Sequence, residues 1–413
     1  MKRLLVLLAL LSVNEFSQVK LVPQKITLKS GKSFTLNVAD GFEIRPVAEG
    51  LKRVRFFAKS PDSRIFVTDM YNLTDNKRGV VYILDGWNER AAKFEKVTPY
   101  LTNLRNPNSV QFYRDTSGQD WFYLAETDKL TRRKFTLGET KPTDNNPQTV
   151  ATFPDYGLSY KYGGWHLTRT IAFGPNGKLY ISVGSSCNSC VEKEKVRASI
   201  IEMNPDGSDQ RIFARGLRNA VGLKWINGAL WATNQGSDHL GLQRPDETFY
   251  VLVGLKDPSA NADRRGKITD YGWPYCHSSN GKIFADPKIR RPEGCRSVEP
   301  PFAYFPARSS ALGFDYFPRH PPPTPNGYWE EPPDPIADAF LVALHGSTNK
   351  AIGHGYKIVI MRKGERLQDF ITGFLQKGKV VGRPCDILKL DANSFLFTDD
   401  HSGIVYLVRR KLS

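Results

Sequence analysis

The stretch RTIAFGPNGKLYISVGS, residues 169–185, decides the fold. An apolar run, Ile171–Phe173, leads into Gly174, Pro175, Asn176 and Gly177. A second run, Leu179–Val183, then alternates with period two. Alternating apolar runs joined by Pro-Asn-Gly turn chemistry predict an antiparallel hairpin. The same plan recurs as VRFFAKSPDSRIFVTDM (54–70), NSVQFYRDTSGQDWFYLAE (108–126), AVGLKWINGALWATNQ (220–235) and CDILKLDANSFLFTDD (385–400). A looser copy runs from SALGFDYF (310–317) to AFLVALHGS (339–347). Further strands follow the copies, such as GVVYILD (79–85), SIIEMNPDG (199–207), TFYVLVG (248–254), YKIVIMR (356–362) and GIVYLVRR (403–410). Six similar units at a spacing of roughly 50 to 90 residues predict an all-β, six-bladed β-propeller of four-stranded antiparallel blades. A β-sandwich would not explain the repetition.

Composition agrees with that reading. The chain has 413 residues, 40% hydrophobic and 24% charged, with 34 glycines and 27 prolines. It opens with Lys2 and Arg3 and an apolar run from Leu4 to Leu11, too short to span a bilayer. Residues 1–18 therefore read as a secretory signal peptide whose cleavage point the sequence leaves open. Residues 19–413 read as one propeller domain. The proline-rich segment 318–335 reads as an exposed loop inside the fifth unit, because repeat-like sequence resumes after it. No other run is long and apolar enough for an integral membrane segment, so the expectation is a periplasmic or secreted protein.

The net charge is +16. The basic residues are scattered, with no arginine-rich run and no helix-turn-helix or zinc-finger pattern, which argues against nucleic acid. Scattered positive charge still favours a small polyanion in a cleft. There are five cysteines. In an exported chain the economical pairing is Cys187 with Cys190 and Cys276 with Cys295, leaving Cys385 free. The Cys187–Cys190 pair lacks the second pair a zinc site needs and the βαβ context of a redox motif, so a loop staple is favoured.

In a propeller the starts of the inner strands meet at one face. Arg55, Asn108, His166, Arg218 with Asn219, and Arg383 fall there by repeat phase, with His345, Asn349 and Lys350 just beyond a strand of the fifth unit. Acids such as Asp246, Glu247, Asp399 and Asp400 read as satisfying loops between blades.

The motifs WHLTRTIAFGPNGKLYISVGSSCNSC, GLRNAVGL, YGWPYC, ALHGSTNK with GYKIV, and GRPCDILKLDANSFLFTDDHSG together resemble the glucose/sorbosone dehydrogenase family. The resemblance implies an exported six-bladed propeller that binds pyrroloquinoline quinone (PQQ) and calcium and takes a hydride from a sugar or sugar-like alcohol. It implies His166 as general base on the substrate hydroxyl, and Arg218 as the cation beside the quinone oxygens, with Asn219 adjacent. Main-chain carbonyls at Gly236 and Ser237, next to Gln235, would hold calcium. Arg55, His345, Asn349, Lys350 and Arg383 would meet the cofactor's carboxylates or rim. Trp165, Lys350 and Cys385 depart from the glucose enzymes' pattern, which points away from glucose and toward the sorbosone-dehydrogenase-like branch. No haem-attachment motif is present, so electrons would leave to a diffusing acceptor. The alternative is a propeller that binds a glycan or protein partner without redox chemistry. A metal-dependent hydrolase is weaker, since it would need acids where this chain carries bases.

Overall fold

A computed structural model describes residues 18–154, 166–253, 268–319 and 335–411. The signal segment, Trp165 and most of the proline-rich insertion lie outside them. The described chain is six four-stranded antiparallel blades around an axis. Blade 1 runs outward through Val54–Lys59, Ile65–Asp69, Gly79–Asn88 and Lys93–Leu104. Blade 2 holds Ser109–Arg114, Asp120–Ala125, Lys129–Lys134 and Gln148–Thr152. Blade 3 holds Ile171–Phe173, Leu179–Val183, Ser199–Met203 and Arg211–Arg215. Blade 4 holds Ala220–Ile226, Ala229–Asn234, Glu247–Val253 and Ala303–Phe305. Blade 5 holds Ala311–Phe317, Ala339–Leu344, Lys357–Met361 and Gln368–Thr372. Blade 6 holds Pro384–Lys389, Ser394–Asp399 and Ile404–Arg410.

The fourth strand of blade 6 comes from the other end of the chain. Phe42–Ala48 pairs antiparallel with Ile404–Arg410, so the two ends of the sequence lock the ring. The preceding hairpin, Leu21–Thr27 with Ser33–Ala39, pairs through Asn37 and Val38 with Thr372 and Ile371 and extends blade 5. Closure removes the exposed edges that a six-unit open sheet would present. Each inner strand touches those of both neighbouring blades, from blade 1 round to blade 6 and back. Apolar faces are buried between blades, where Phe66 and Phe249 are fully covered within edge-on aromatic contacts. Each such side chain contributes roughly 1.5–3 kcal/mol by leaving water.

A repeated irregularity shapes the inner end of the blades. Register shifts fall at the start of the inner strand in blades 1, 4, 5 and 6, between Val54 and Phe57, Ala220 and Leu223, Ala311 and Phe314, and Pro384 and Ile387. Such bulges free backbone groups and re-aim side chains. Thr68, Thr233 and Thr398, on the second strands, accept the N–H of Phe56, Gly222 and Asp386 at 2.9–3.0 Å. The same hydroxyls donate to Asn108, Leu312 and Arg55 carbonyls of the next blade at 2.7–2.8 Å. One residue thus satisfies the bulge and ties neighbouring blades. Phe56, Val221, Leu312 and the unpaired Cys385 pack together as an apolar plug. Both expected disulfides are formed, Cys187–Cys190 and Cys276–Cys295. No helix among the described residues is long and apolar enough to cross a membrane.

Candidate functional site

The residues just before the inner strands are fixed by another repeated device. Asp69, Asn234 and Asp399 end the second strands of blades 1, 4 and 6. Their side-chain oxygens accept the N–H of Arg53, Asn219 and Arg383 at 2.7–3.0 Å. The carbonyls of Arg53, Asn219 and Arg383 accept from Met70, Gln235 and Asp400. Held at both N–H and C=O, these three backbones are equivalent around one rim. Sequence phase puts Arg55 there. The bulge after Val54 shifts it inward: Arg55 is buried, its Nε donating to Asn108 Oδ1 at 3.1 Å and its Nη1 to Asp400 Oδ2 at 2.7 Å. The rim position belongs to Arg53, which the sequence pattern did not single out.

On blades 3 and 4, His166 and Arg218 share one loop. His166 Nδ1 lies 2.9 Å from both the carbonyl oxygen and the hydroxyl of Ser185. Ser185 Oγ donates its proton to Cys187 O at 2.7 Å. A carbonyl can only accept, so Nδ1 carries the ring proton and Nε2 is the basic nitrogen. Ser185 thus helps to orient His166 through Nδ1. Burial first, then the neighbouring Arg218 charge, holds the His166 pKa well below 6.5. The ring is therefore neutral near pH 7. Its backbone is left-handed, with φ 51°. Gly184 lets it sit there, since a Cβ at that glycine would meet His166 Cβ at 2.5 Å and Asn219 Oδ1 at 2.6 Å.

Arg218, 4% exposed, donates through Nε to Asn188 O at 2.8 Å and through Nη2 to Asn188 Oδ1 at 3.0 Å. Asn188 lies inside the Cys187–Cys190 staple, so that short loop seats both His166 and Arg218. Asn219 Nδ2 donates to Gln235 Oε1 at 2.8 Å. On blades 5, 6 and 1 the hub is Asp400, which is fully buried. His345 Nε2 is 2.7 Å from its Oδ1, and Arg53 Nη1 3.2 Å from the same oxygen. Arg383 donates to Gly346 O at 2.6 Å and Ser347 O at 2.9 Å, and lies over the Tyr356 ring. Asn349 and Lys350 are exposed on a short turn, joined to this group by the Asn349 N–H to Ser347 Oγ bond of 3.1 Å.

The acids divide by role. Asp246 serves Ser278 and Gly281, and Asp399 three backbone N–H groups, as loop ties. Asp400 instead pairs with cations.

The calcium expectation meets an obstacle. Arg308 places a guanidinium in the loop after Asn234, donating to Ser237 O at 2.5 Å, Asp238 O at 2.9 Å, Arg244 O at 3.4 Å and also Gly241 O. Its Nη1 also lies 2.9 Å from Asp238 Oδ1. Calcium seeks such carbonyl oxygens. A calcium ion at Ser237 therefore does not fit while Arg308 holds that carbonyl. The thermal midpoint of the wild-type protein is expected not to respond to millimolar calcium. Arg308→Ala should lose about 1–3 kcal/mol and regain part of it with calcium, which differential scanning calorimetry would read. A calcium-induced rise in the wild type would show the loop open to the ion.

A family model described as TrAA12-like matches residues 36–370. The chain belongs to the TrAA12-like family. An uncharacterized protein of Borreliella burgdorferi is 27% identical over 397 residues, spanning 91% of this chain and 90% of that protein. Similar solved structures include the calcium structure of Trichoderma reesei Carbohydrate-Active Enzymes Family AA12, with a TM-score of 0.70 and 16% identity, covering 91% of this chain and 96% of that one. The holo PQQ domain of pyranose dehydrogenase from Coprinopsis cinerea has a TM-score of 0.68 and 18% identity, covering 91% and 97%. PQQ-bound aldose sugar dehydrogenase from Streptomyces coelicolor has a TM-score of 0.56 and 14% identity, covering 89% and 98%. At these identities the structural likeness speaks for the six-bladed fold.

Proposed function

We propose that this TrAA12-like propeller is an exported oxidoreductase that binds PQQ on its cationic rim and oxidises a sugar or sugar-like alcohol. The observation that carries the reading is surplus positive charge beside a neutral imidazole. Among the described residues Arg383 has no acidic partner, and Arg218 pairs only with Asp238, at 3.7 Å. Both guanidinium groups bond mainly to neutral oxygens. Such a charge invites an anion, and a tricarboxylate quinone matches it in sign and multiplicity. The relatives' PQQ-bound and holo forms support the same ligand.

When bound, the quinone would supply the hydride acceptor. Arg218 and Arg383 would hold it and stabilise negative charge that develops on it. His166 would orient the substrate hydroxyl and take its proton at Nε2. Ser185 keeps the proton at Nδ1, which leaves Nε2 as the basic nitrogen. Asn219, held by Gln235, sits beside the ring. No step is assigned to calcium.

The base must be neutral to work, and the His166 pKa is lowered. Activity should therefore persist as pH falls through 6.5 and be lost only further into acid. A kcat/KM profile with its acid limb centred at or above pH 6.5 would contradict this assignment. The function itself is tested by loading the purified protein with PQQ and following dye reduction across a panel of sugars and polyols. Turnover with at least one is expected. Bound quinone without any turnover would favour a ligand-binding propeller.

A further inference from the structure

Outside the cationic rim, a cluster among the described residues brings metal-binding donors together. His239 lies in the loop after Ala229–Asn234, two residues beyond Ser237. His277 lies in the hairpin Cys276–Ser279 with Lys282–Ala285, and Asp286 follows that hairpin directly. Asp286 Oδ2 is 2.7 Å from His239 Nε2 and 2.8 Å from His277 Nε2. The three donor atoms lie within 4.8 Å of one another.

We propose that His239, His277 and Asp286 form a binding site for a divalent first-row transition metal. Two imidazoles and one carboxylate are the donor set such ions prefer, and a poor one for calcium, which takes oxygens. The carboxylate is aimed. Asp286 Oδ1 accepts the N–H of Lys288 and of Ile289, each at 2.8 Å, which turns Oδ2 toward both rings. The frame is rigid. The Cys276–Cys295 bridge staples the hairpin, and Trp273 Nε1 donates to Ser237 Oγ at 2.9 Å beside it. The Asp286 and His277 side chains are 0% and 3% exposed, whereas His239 is 20% exposed, leaving a side from which an ion and a completing water could enter.

The donors now stand at hydrogen-bond distance. Around an ion with bonds of about 2.0–2.1 Å, tetrahedral neighbours lie roughly 3.3 Å apart. Each ring would withdraw by about half an ångström, a small rotamer adjustment. The other candidate group, Cys187, Cys190 and Glu192, carries no such site because its sulfurs are joined as a disulfide. A metal at the histidine cluster would clamp the hairpin to the loop that carries Ser237 and Asp238, the latter beside Arg218.

The test uses untagged full-length protein, stripped by chelator and titrated with cobalt(II) while visible ligand-field absorption is recorded. One saturable equivalent, displaced by zinc, is expected, and zinc should raise the thermal midpoint. His239→Ala removes a part-exposed ligand and should keep the fold by circular dichroism. Asp286→Asn keeps an oxygen for the two rings while removing the charge. Each should weaken cobalt binding at least tenfold. No saturable spectrum at tenfold excess cobalt, or one that survives both variants, would overturn the site and leave a purely hydrogen-bonded cluster.

Discussion

Replacing His166 with alanine is expected to lower kcat of the quinone-loaded enzyme by about 10²–10⁴-fold, the usual worth of a positioned general base. Quinone affinity should change little, because the ring is neutral and the cations that would grip the cofactor are Arg218 and Arg383. Ser185 accepts from Nδ1 and the Cys187–Cys190 loop holds Ser185 through Cys187 O. The proposed base is thus seated at Nδ1 by Ser185 and, through it, by the disulfide loop. Steady-state kinetics with the best sugar, alongside quinone titration of the same variant, separate the two effects. A kcat within a factor of three of wild type would remove His166 as the base.

Asp400→Ala is expected to cost about 3–5 kcal/mol of folding stability, because it leaves buried cations uncompensated. Burial alone would raise the Asp400 pKa, but the charge and hydrogen bond of His345, then Arg55 and Arg53, outweigh it and hold the carboxyl far below its ordinary range. A carboxylate lowered in the fold stabilises above its unfolded pKa, near 4, and that contribution disappears as pH falls below it. Wild type should therefore lose stability on acidification below pH 4, and Asp400→Ala should lose less over the same interval. Asp400→Asn, which keeps a bond to His345 without the charge, should fall between the two. Urea unfolding at pH 7 and pH 3 reads all three proteins. A loss under 1 kcal/mol at pH 7 would show that Asp400 does not support the rim.

Much of this architecture is written in local pattern. The hairpin at 169–185, the Asn-Gly turn at 227–228 and the period-two strands each report a blade through backbone chemistry that acts within a few residues. The two disulfides followed from spacing and an expected oxidising environment. What escaped the pattern depends on contacts distant in sequence. Nothing local in Phe42–Ala48 says that it completes blade 6, some 360 residues away in the chain. Arg55 and Arg53 exchange places because a bulge shifts the inner strand, and a bulge is invisible to repeat phase. Arg308 reads as an ordinary loop arginine until its guanidinium is seen among the carbonyls of residues 237–244. Ser185 lies inside the deciding stretch, yet its role follows from where Cys187 O and His166 Nδ1 meet. Asp400 reads as a loop acid beside Asp399, and only the fold shows that one serves backbone N–H groups while the other pairs with arginine and histidine.

Quinone binding at the cationic rim underlies every role proposed for Arg218, Arg383 and His166. The direct measurement is a spectral titration of the purified protein with PQQ at near-physiological salt, run with and without calcium. Saturable binding at micromolar protein or tighter is expected, with affinity lowered at least tenfold in Arg218→Ala and in Arg383→Ala and unchanged by calcium. No saturable binding at micromolar protein, or binding indifferent to both arginines, would contradict it.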